Sequence, residues 1–479
     1  MKFAALTGIT VLAALFLPPV TQAQVPLDVN SPIGQIINNM PENSWAKLNT
    51  NRFDSTWTII DQRPGGSDYN LPTYRPSTYR PSSILSAWSS MAWDSNRGKM
   101  IFWGGGHANY PGNEIYLWNS YDGKWSRASL PSDIKLVSPE TGDKIWFNTI
   151  DGYMNSPMAS HTYQNNQFLP IADKFVVFGG AAHNNGGPLS ILNANGQKQQ
   201  TGPYFWNPAK ADVSMVGGLD GSNVNPVKFP NVLGGKMWEN RDNITDIRPV
   251  TILSNGTVFS GHSWLNGTAV YSDERPDADV IYISDIYELF KYTVVDVNDS
   301  SKDVWEKVGD TGTAASGLGV AAIEPRLNIY VRTYGLPLKQ FGDSPVLCYW
   351  NLNIKNSKKV CFRPTDASGE FNYRKLGFYG MAYDPKRQQL ILWDGTDKIW
   401  ALVAPATLSP LGWHFEKIYD ATMDGNQNVP VSGLPDSVLT GILGKWKYIP
   451  SYDIFIGVNT YLSGEVWAYK PKNWQPKLN

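Results

Sequence analysis

Four of the five histidines fall at related places in a repeating pattern. His107 closes MIFWGGGH, His183 closes FVVFGGAAH and His262 closes TVFSGH, each just past an apolar run that breaks into glycine. His161 opens ASHTYQ, a short way before the second of those runs. Histidine titrates nearest neutrality of all side chains, and residues recurring at one slot of a repeat end in one layer of a fold. The pattern points to a face on which imidazoles could take up and deliver protons. His161 and His183, about one strand pair apart, lead the candidates; His262, beside Trp264, shares the face, and His107 holds the slot in the preceding unit. Later units place Arg332 and Tyr334 (YVRTYG), Asp394 (LWDG) and Asn459 with Tyr461 (GVNTY) there, while Arg248 (DIRPVT) and Tyr379 (GFYGMA) fall near strand starts. His414, in GWHFEK, reads as a structural residue of an outer strand.

The elements that must position these residues are short strands. MAWDSNRGKMIFWGGG (91–106) and MAYDPKRQQLILWDGT (381–396) match closely: a strand, an Asp-centred turn, and an apolar strand ending in glycine or a glycine-bearing turn. Segments 164–180, 251–261, 320–333 and 446–459 repeat the shape with weaker letters, making six copies. A third strand with an aromatic follows most copies, as in EIYLWN (114–119) and EVWAYK (465–470), and in several a further Trp follows, as in GKWSRA and DVWEKV. Strand repeats of this period with Gly-Gly and spaced Trp predict an all-β, kelch-like β-propeller of six or seven blades. SWAKLNT (44–50) is expected to supply the outer strand of the last blade and close the ring, which removes an open sheet edge. DSTWTIIDQRP (54–64) offers part of a seventh blade, and 217–245 is too long for a blade connection, so it reads as a surface insertion.

The chain as a whole sets bounds on partners. Met1-Lys2, an apolar run from Phe3 to Leu17 and small residues before Gln24 read as an export signal over 1–23, with one propeller domain over 24–479. No later stretch is long enough to span a bilayer. A net charge of −1 without a basic patch argues against nucleic acid. Aromatics at 13%, with 19 Trp, suit both sugar stacking and a propeller core. Cys348 and Cys361, in VLCYWNLNIKNSKKVCF, sit on two strands of a hairpin and are expected to form a disulfide. No phosphate loop, nucleophile elbow or H-E-x-x-H motif is present. No cofactor is called for, no metal ligand set is assigned, and a structural Ca or Zn ion is left open. A monomer is expected.

With HTY at 161–163, FGG at 178–180 and GGGHANYPGNEIY at 104–116, the chain resembles secreted kelch-type propellers, most of all the polysaccharide lyases that cut ulvan. The resemblance covers roughly Ser86 to Tyr469 and favours seven blades. It implies β-elimination on an acidic polysaccharide, in which a cation or strong donor neutralises the uronate carboxylate while a base and an acid move protons. On that reading His161 is base or acid, His183 and Arg248 hold the carboxylate, and His262 or a tyrosine such as Tyr334 carries the other proton. Trp264, Arg332, Tyr379 and His107 then line the substrate. Two other classes compete. A non-catalytic carbohydrate-binding propeller would use Trp264 or Trp103 as platforms. A copper-radical oxidase needs a Tyr-His ligand pair and a free cysteine, and the chain has no Tyr-His dipeptide.

Overall fold

The computed structural model describes residues 24–65, 80–107, 109–139, 145–183, 190–192, 198–241, 250–252, 258–260, 266–270, 274–284, 288–310, 318–334 and 347–478. Among them stand six sheets of four or five strands each, arranged as blades. Blade one runs from the axis outward as Ser90–Asp94, Lys99–Trp103, Tyr116–Asn119 and Trp125–Arg127. Blade two follows as Asn166–Leu169, Lys174–Val177, Tyr204–Trp206 and Trp238–Asn240, and blade three as Asn266–Val270, Asp279–Ser284, Glu288–Val294 and Val304–Asp310. Blades four and five begin with Ala321–Glu324 and Gly380–Asp384. Blade six begins with Trp446–Ile449 and ends with Ser44–Lys47, which pairs antiparallel with Val466–Lys470. Each innermost strand packs against the next around the ring, and blade six returns to blade one. The fold is thus a six-bladed propeller closed by an N-terminal strand, as expected.

The repeat explains the blades. In blade one Asp94 Oδ1 accepts from the Asn96 and Arg97 amides (3.0 Å each), which folds the chain back, and the turn ends on a left-handed residue, Gly98. Asp384 does the same for Lys386 and Arg387, with Gln388 in the left-handed slot. Asp173, Asn328 and Asp453 hold that slot in blades two, four and six. A positive φ is least strained for Gly and tolerated by Asn and Asp, so the turn letters follow from backbone geometry. Between the blades lie the tryptophans: Trp103 against Trp238 (5.8 Å), and Trp45 among Trp393, Trp446 and Tyr469.

The blades number six among the described residues, within the six or seven expected. Three expectations change. Residues 54–64 form no strand; short 3-10 turns over Phe53–Thr56 and Ile60–Gln62 lay Phe53 on Tyr116 and Trp125 of blade one. The 251–261 copy is not the inner pair of blade three. Val250–Ile252 and Val258–Ser260 form a separate hairpin, and Asn266–Val270 with Asp279–Ser284 take the inner positions. The end of the 217–245 stretch is not insertion, because Trp238–Asn240 pairs with Tyr204–Trp206 as the outer strand of blade two. Cys348 and Cys361 face each other across paired strands of blade four and are joined as a disulfide.

Candidate functional site

His161 stands at the end of the ring where the second strand of each blade finishes. Ser160–His161 extends the inner hairpin of blade two, opposite Ala181–Ala182. The Gly-Gly letters of the repeat exist to let this peptide in. A Cβ on Gly106 would lie 2.3 Å from the His161 nitrogen, and one on Gly180 would lie 1.8 Å from its carbonyl oxygen. Both glycines also carry positive φ, so the chain has two reasons for glycine at each. The backbone of His161 is therefore clamped between the loop ends of blades one and two.

Around the imidazole the site is aromatic and polar. The Trp88 ring lies 4.8 Å away at 36°, the His107 ring 5.3 Å away, and Tyr163 meets it edge-on at 6.2 Å. Asn109 Nδ2 donates to His161 Nε2 at 2.9 Å. An amide nitrogen only donates, so Nε2 is the acceptor and the ring proton sits on Nδ1. His107 and Asn109 are exposed and Trp88 is half-buried, while His161 is buried. Burial, reinforced by His107 and then His183, holds the His161 pKa down at about 3. The imidazole is neutral across the physiological range.

Supporting residues fix the loop that carries Asn109. The Gly106 amide donates to the Tyr110 carbonyl (2.9 Å), and the Asn109 amide to that of Gly106 (2.8 Å). The Tyr110 hydroxyl donates to Glu114 Oε1 at 2.5 Å, and Tyr116 and Thr58 donate to the same oxygen at 3.0 Å. Glu114 is fully buried, and burial raises its pKa. Residues 162–165 form a plug over the axis. The Tyr163 amide donates to the Trp88 carbonyl of blade one, Thr162 Oγ1 bonds Ser90, and Gln164 Nε2 bonds the Ala321 carbonyl of blade four. The Gly444 amide of blade six donates back to the Tyr163 carbonyl.

The expected residues are distributed unevenly. His183 follows Ala182 in the same hairpin, its amide on the Ala159 carbonyl and its ring 6.3 Å from Phe147. It is buried, and desolvation with His107 nearby lowers its pKa to about 3. His107, first assigned to substrate lining, is the histidine in ring contact with His161. Arg332 is wholly buried between blades three and four, with Nη1 on Ser284 Oγ at 2.7 Å and its guanidinium 5.1 Å over the Tyr334 ring. Tyr334 is likewise fully buried, and Tyr379 stacks on Phe371 within the core. Asp394 spends Oδ1 on the Thr396 amide and hydroxyl. Trp103 is completely buried and offers no platform. Arg248, His262 and Trp264 lie outside the described residues. No group of three His, Cys, Asp or Glu among the described residues could hold a metal ion, and no described helix is long and apolar enough to cross a membrane.

Sequence reasoning missed Trp88 and Asn109. Trp88 precedes the MAWDSN strand and is one tryptophan among many, and Asn109 gains its meaning only when the GGGHANY loop folds back onto blade two. His414 starts the outer strand of blade five and faces Glu416 at the surface, in line with a structural role.

No family model and no curated sequence matches the chain. Several solved propellers do. An α-L-arabinofuranosidase of Fusarium graminearum is 12% identical, with a TM-score of 0.39 over 88% of this chain and 96% of that one. An α-L-arabinanase of Penicillium chrysogenum is 11% identical, with a TM-score of 0.38 over 83% and 97%. A GH74 xyloglucanase of Xanthomonas campestris is 11% identical, with a TM-score of 0.32 over 87% of this chain and 60% of that one. The expectation of an ulvan-type lyase is corrected here. The solved structures named here are an arabinofuranosidase, an arabinanase and a xyloglucanase, and none of these three is a lyase. Of the residues assigned to that chemistry, His161 and His183 are buried and neutral, Arg332 is buried in a blade seam on Ser284, and Arg248 and His262 lie outside the described residues.

Proposed function

We propose that the histidine end of the propeller binds an uncharged glycan. The observation that carries this reading is Trp88, a half-buried indole beside the His161 ring and flanked by exposed His107 and Asn109. An indole face packs on the apolar face of a sugar ring, while imidazole and amide groups give directed hydrogen bonds to hydroxyls. Two neutral histidines suit hydroxyls better than sulfate or carboxylate. The disulfide between Cys348 and Cys361 supports export of the mature chain, with a cut before Gln24. The Gly-Gly and tryptophan repeat supports a place among kelch-type propellers.

Hydrolysis is the second reading, carried by the carboxyl of Glu114, which burial keeps protonated more readily than an ordinary glutamate. A glycosidase needs two carboxyls flanking the scissile bond, and Glu114 is enclosed by Tyr110, Tyr116 and Thr58. Binding is therefore the reading of choice. Calorimetry with a panel of neutral oligosaccharides, arabinan and xyloglucan fragments among them, tests it. We expect saturable binding that weakens about tenfold or more in Trp88→Ala, equivalent to about 1.4 kcal/mol, with the melting temperature unchanged. Equal affinity in wild type and variant overturns the site. Release of new reducing ends from the same ligands would establish hydrolysis.

A further inference from the structure

We infer that the axial channel holds a small inorganic anion between Lys445 and Lys447. Both lysines belong to the inner edge of blade six, one just before and one within the strand Trp446–Ile449. Residues two apart on an extended chain face the same side about 6.6 Å apart, so their long stems can converge. Trp446, between them, points the other way, its indole nitrogen donating to the Ile391 carbonyl of blade five.

Lys445 is completely buried, and its Nζ finds the Ser89 carbonyl at 3.1 Å and the Ser89 hydroxyl at 3.4 Å. Lys447 reaches past blade one to Gln167 Oε1 of blade two at 3.4 Å, so its side chain crosses the inner edges of the blades. Two ammonium groups bring about six N–H donors, and these three long contacts are all to neutral oxygens. Most polar neighbours at this end carry bonds of their own, Asn166 Oδ1 being an exception. Gln164 spends its amide on the Ala321 carbonyl, Thr162 on Ser90, and Asn166 Nδ2 on the carbonyls of Ser90 and Trp103.

Among the described residues neither lysine forms a salt bridge, although the ring is rich in them elsewhere, as at Arg97–Asp173 and Arg387–Asp453. Buried charge without a partner is expensive. Desolvation alone moves Lys445 down to about 7 and Lys447 to about 8. A pair of amines poised this close to neutrality regains its protons when an anion sits between them. The plug formed by 162–165 covers the channel at the histidine end, so the anion is shielded from the proposed glycan site and its presence does not depend on that reading.

The experiment exchanges chloride for gluconate in the intact protein at constant ionic strength near pH 7 and follows the melting temperature. Gluconate is a far larger anion than chloride and cannot take the place of a single ion between two ammonium groups, so we expect a saturable rise of about 2 °C as chloride replaces it. The rise is absent in Lys447→Met and Lys445→Met, which remove a half-buried and a buried charge and should stay folded. Crystals soaked in bromide should show an anomalous peak between the two Nζ positions. A melting temperature indifferent to the exchange, a response retained in both variants, or a bromide-soaked crystal with no axial peak each overturns the proposal.

Discussion

At the scale of single residues, the two buried imidazoles tie the site to pH. His183 and His161 both titrate near 3 when folded, against an ordinary value of 6.5. Between those values the unfolded chain binds more protons than the folded one, so stability falls as pH drops through that window. Their contribution is complete above about pH 6.5 and is lost progressively toward 3. Thermal melts from pH 7 to pH 4 should show this decline, and His183→Phe, which fits an apolar wall beside Phe147, should make it shallower. A decline of equal steepness in the variant would remove His183 from the account. Asn109 belongs to the same scale. Its bond to Nε2 fixes the tautomer of His161, so Asn109→Ala should weaken glycan binding about threefold to tenfold without lowering stability, as read by calorimetry alongside a melt. The imidazoles were legible as a face in the sequence because their slot recurs. Trp88 and Asn109 were not, because each acts through a loop whose path depends on contacts distant in the chain.

At the scale of elements, the same turn that shapes a blade also joins it to the next. Arg97 lies in the turn of blade one and forks onto Asp173, in the left-handed slot of blade two, while also meeting Asp94. Arg387 repeats this from blade five to Asp453 of blade six, together with Asp384. Asp384 and Asp453 are wholly buried, whereas Asp173 is partly exposed. Removing Arg387 takes the guanidinium from two buried carboxylates, which keep the Tyr448 hydroxyl and backbone amides, so Arg387→Met should cost about 3 kcal/mol. Arg97→Met should cost less, since water screens Asp173. Urea titration of both variants would show the order, and a reversed order would contradict it. The two best-matching copies in the sequence, 91–106 and 381–396, are the ones that contain these arginines. Where the bridge is absent the letters drift, and the third blade was misplaced. Its inner strand, NGTAV, is short and polar and is separated by a long connection from DVIYIS, whereas the nearby hairpin strands 250–252 and 258–260 imitate the pattern better.

At the scale of the whole molecule, stability depends on a closure made by the two chain ends. Trp45, on the N-terminal strand, packs against Trp393 of blade five and Trp446 and Tyr469 of blade six, and its indole nitrogen donates to the Asp397 carbonyl at 2.9 Å. One side chain therefore ties the start of the chain to its last two blades. The N-terminal strand covers an edge that blade six would otherwise leave open, so a defect here is felt where the ring closes and not only locally. Trp45→Ala leaves a cavity and an unpaired carbonyl, for which about 3–5 kcal/mol is the expected loss. The contrast is the Cys348–Cys361 bridge, which links neighbouring strands within blade four and spans only 13 residues. Cys361→Ser should leave the ring closed. Near-UV circular dichroism, which reports the tryptophan seams, and far-UV, which reports strands, should melt together in the wild type and in Cys361→Ser. In Trp45→Ala the near-UV signal should be lost at lower temperature than the far-UV signal, as the last blade opens before the remaining strands unfold. Coincident transitions in Trp45→Ala would mean that closure is shared by other contacts, such as Lys470 with the carbonyls of Ile37 and Met40.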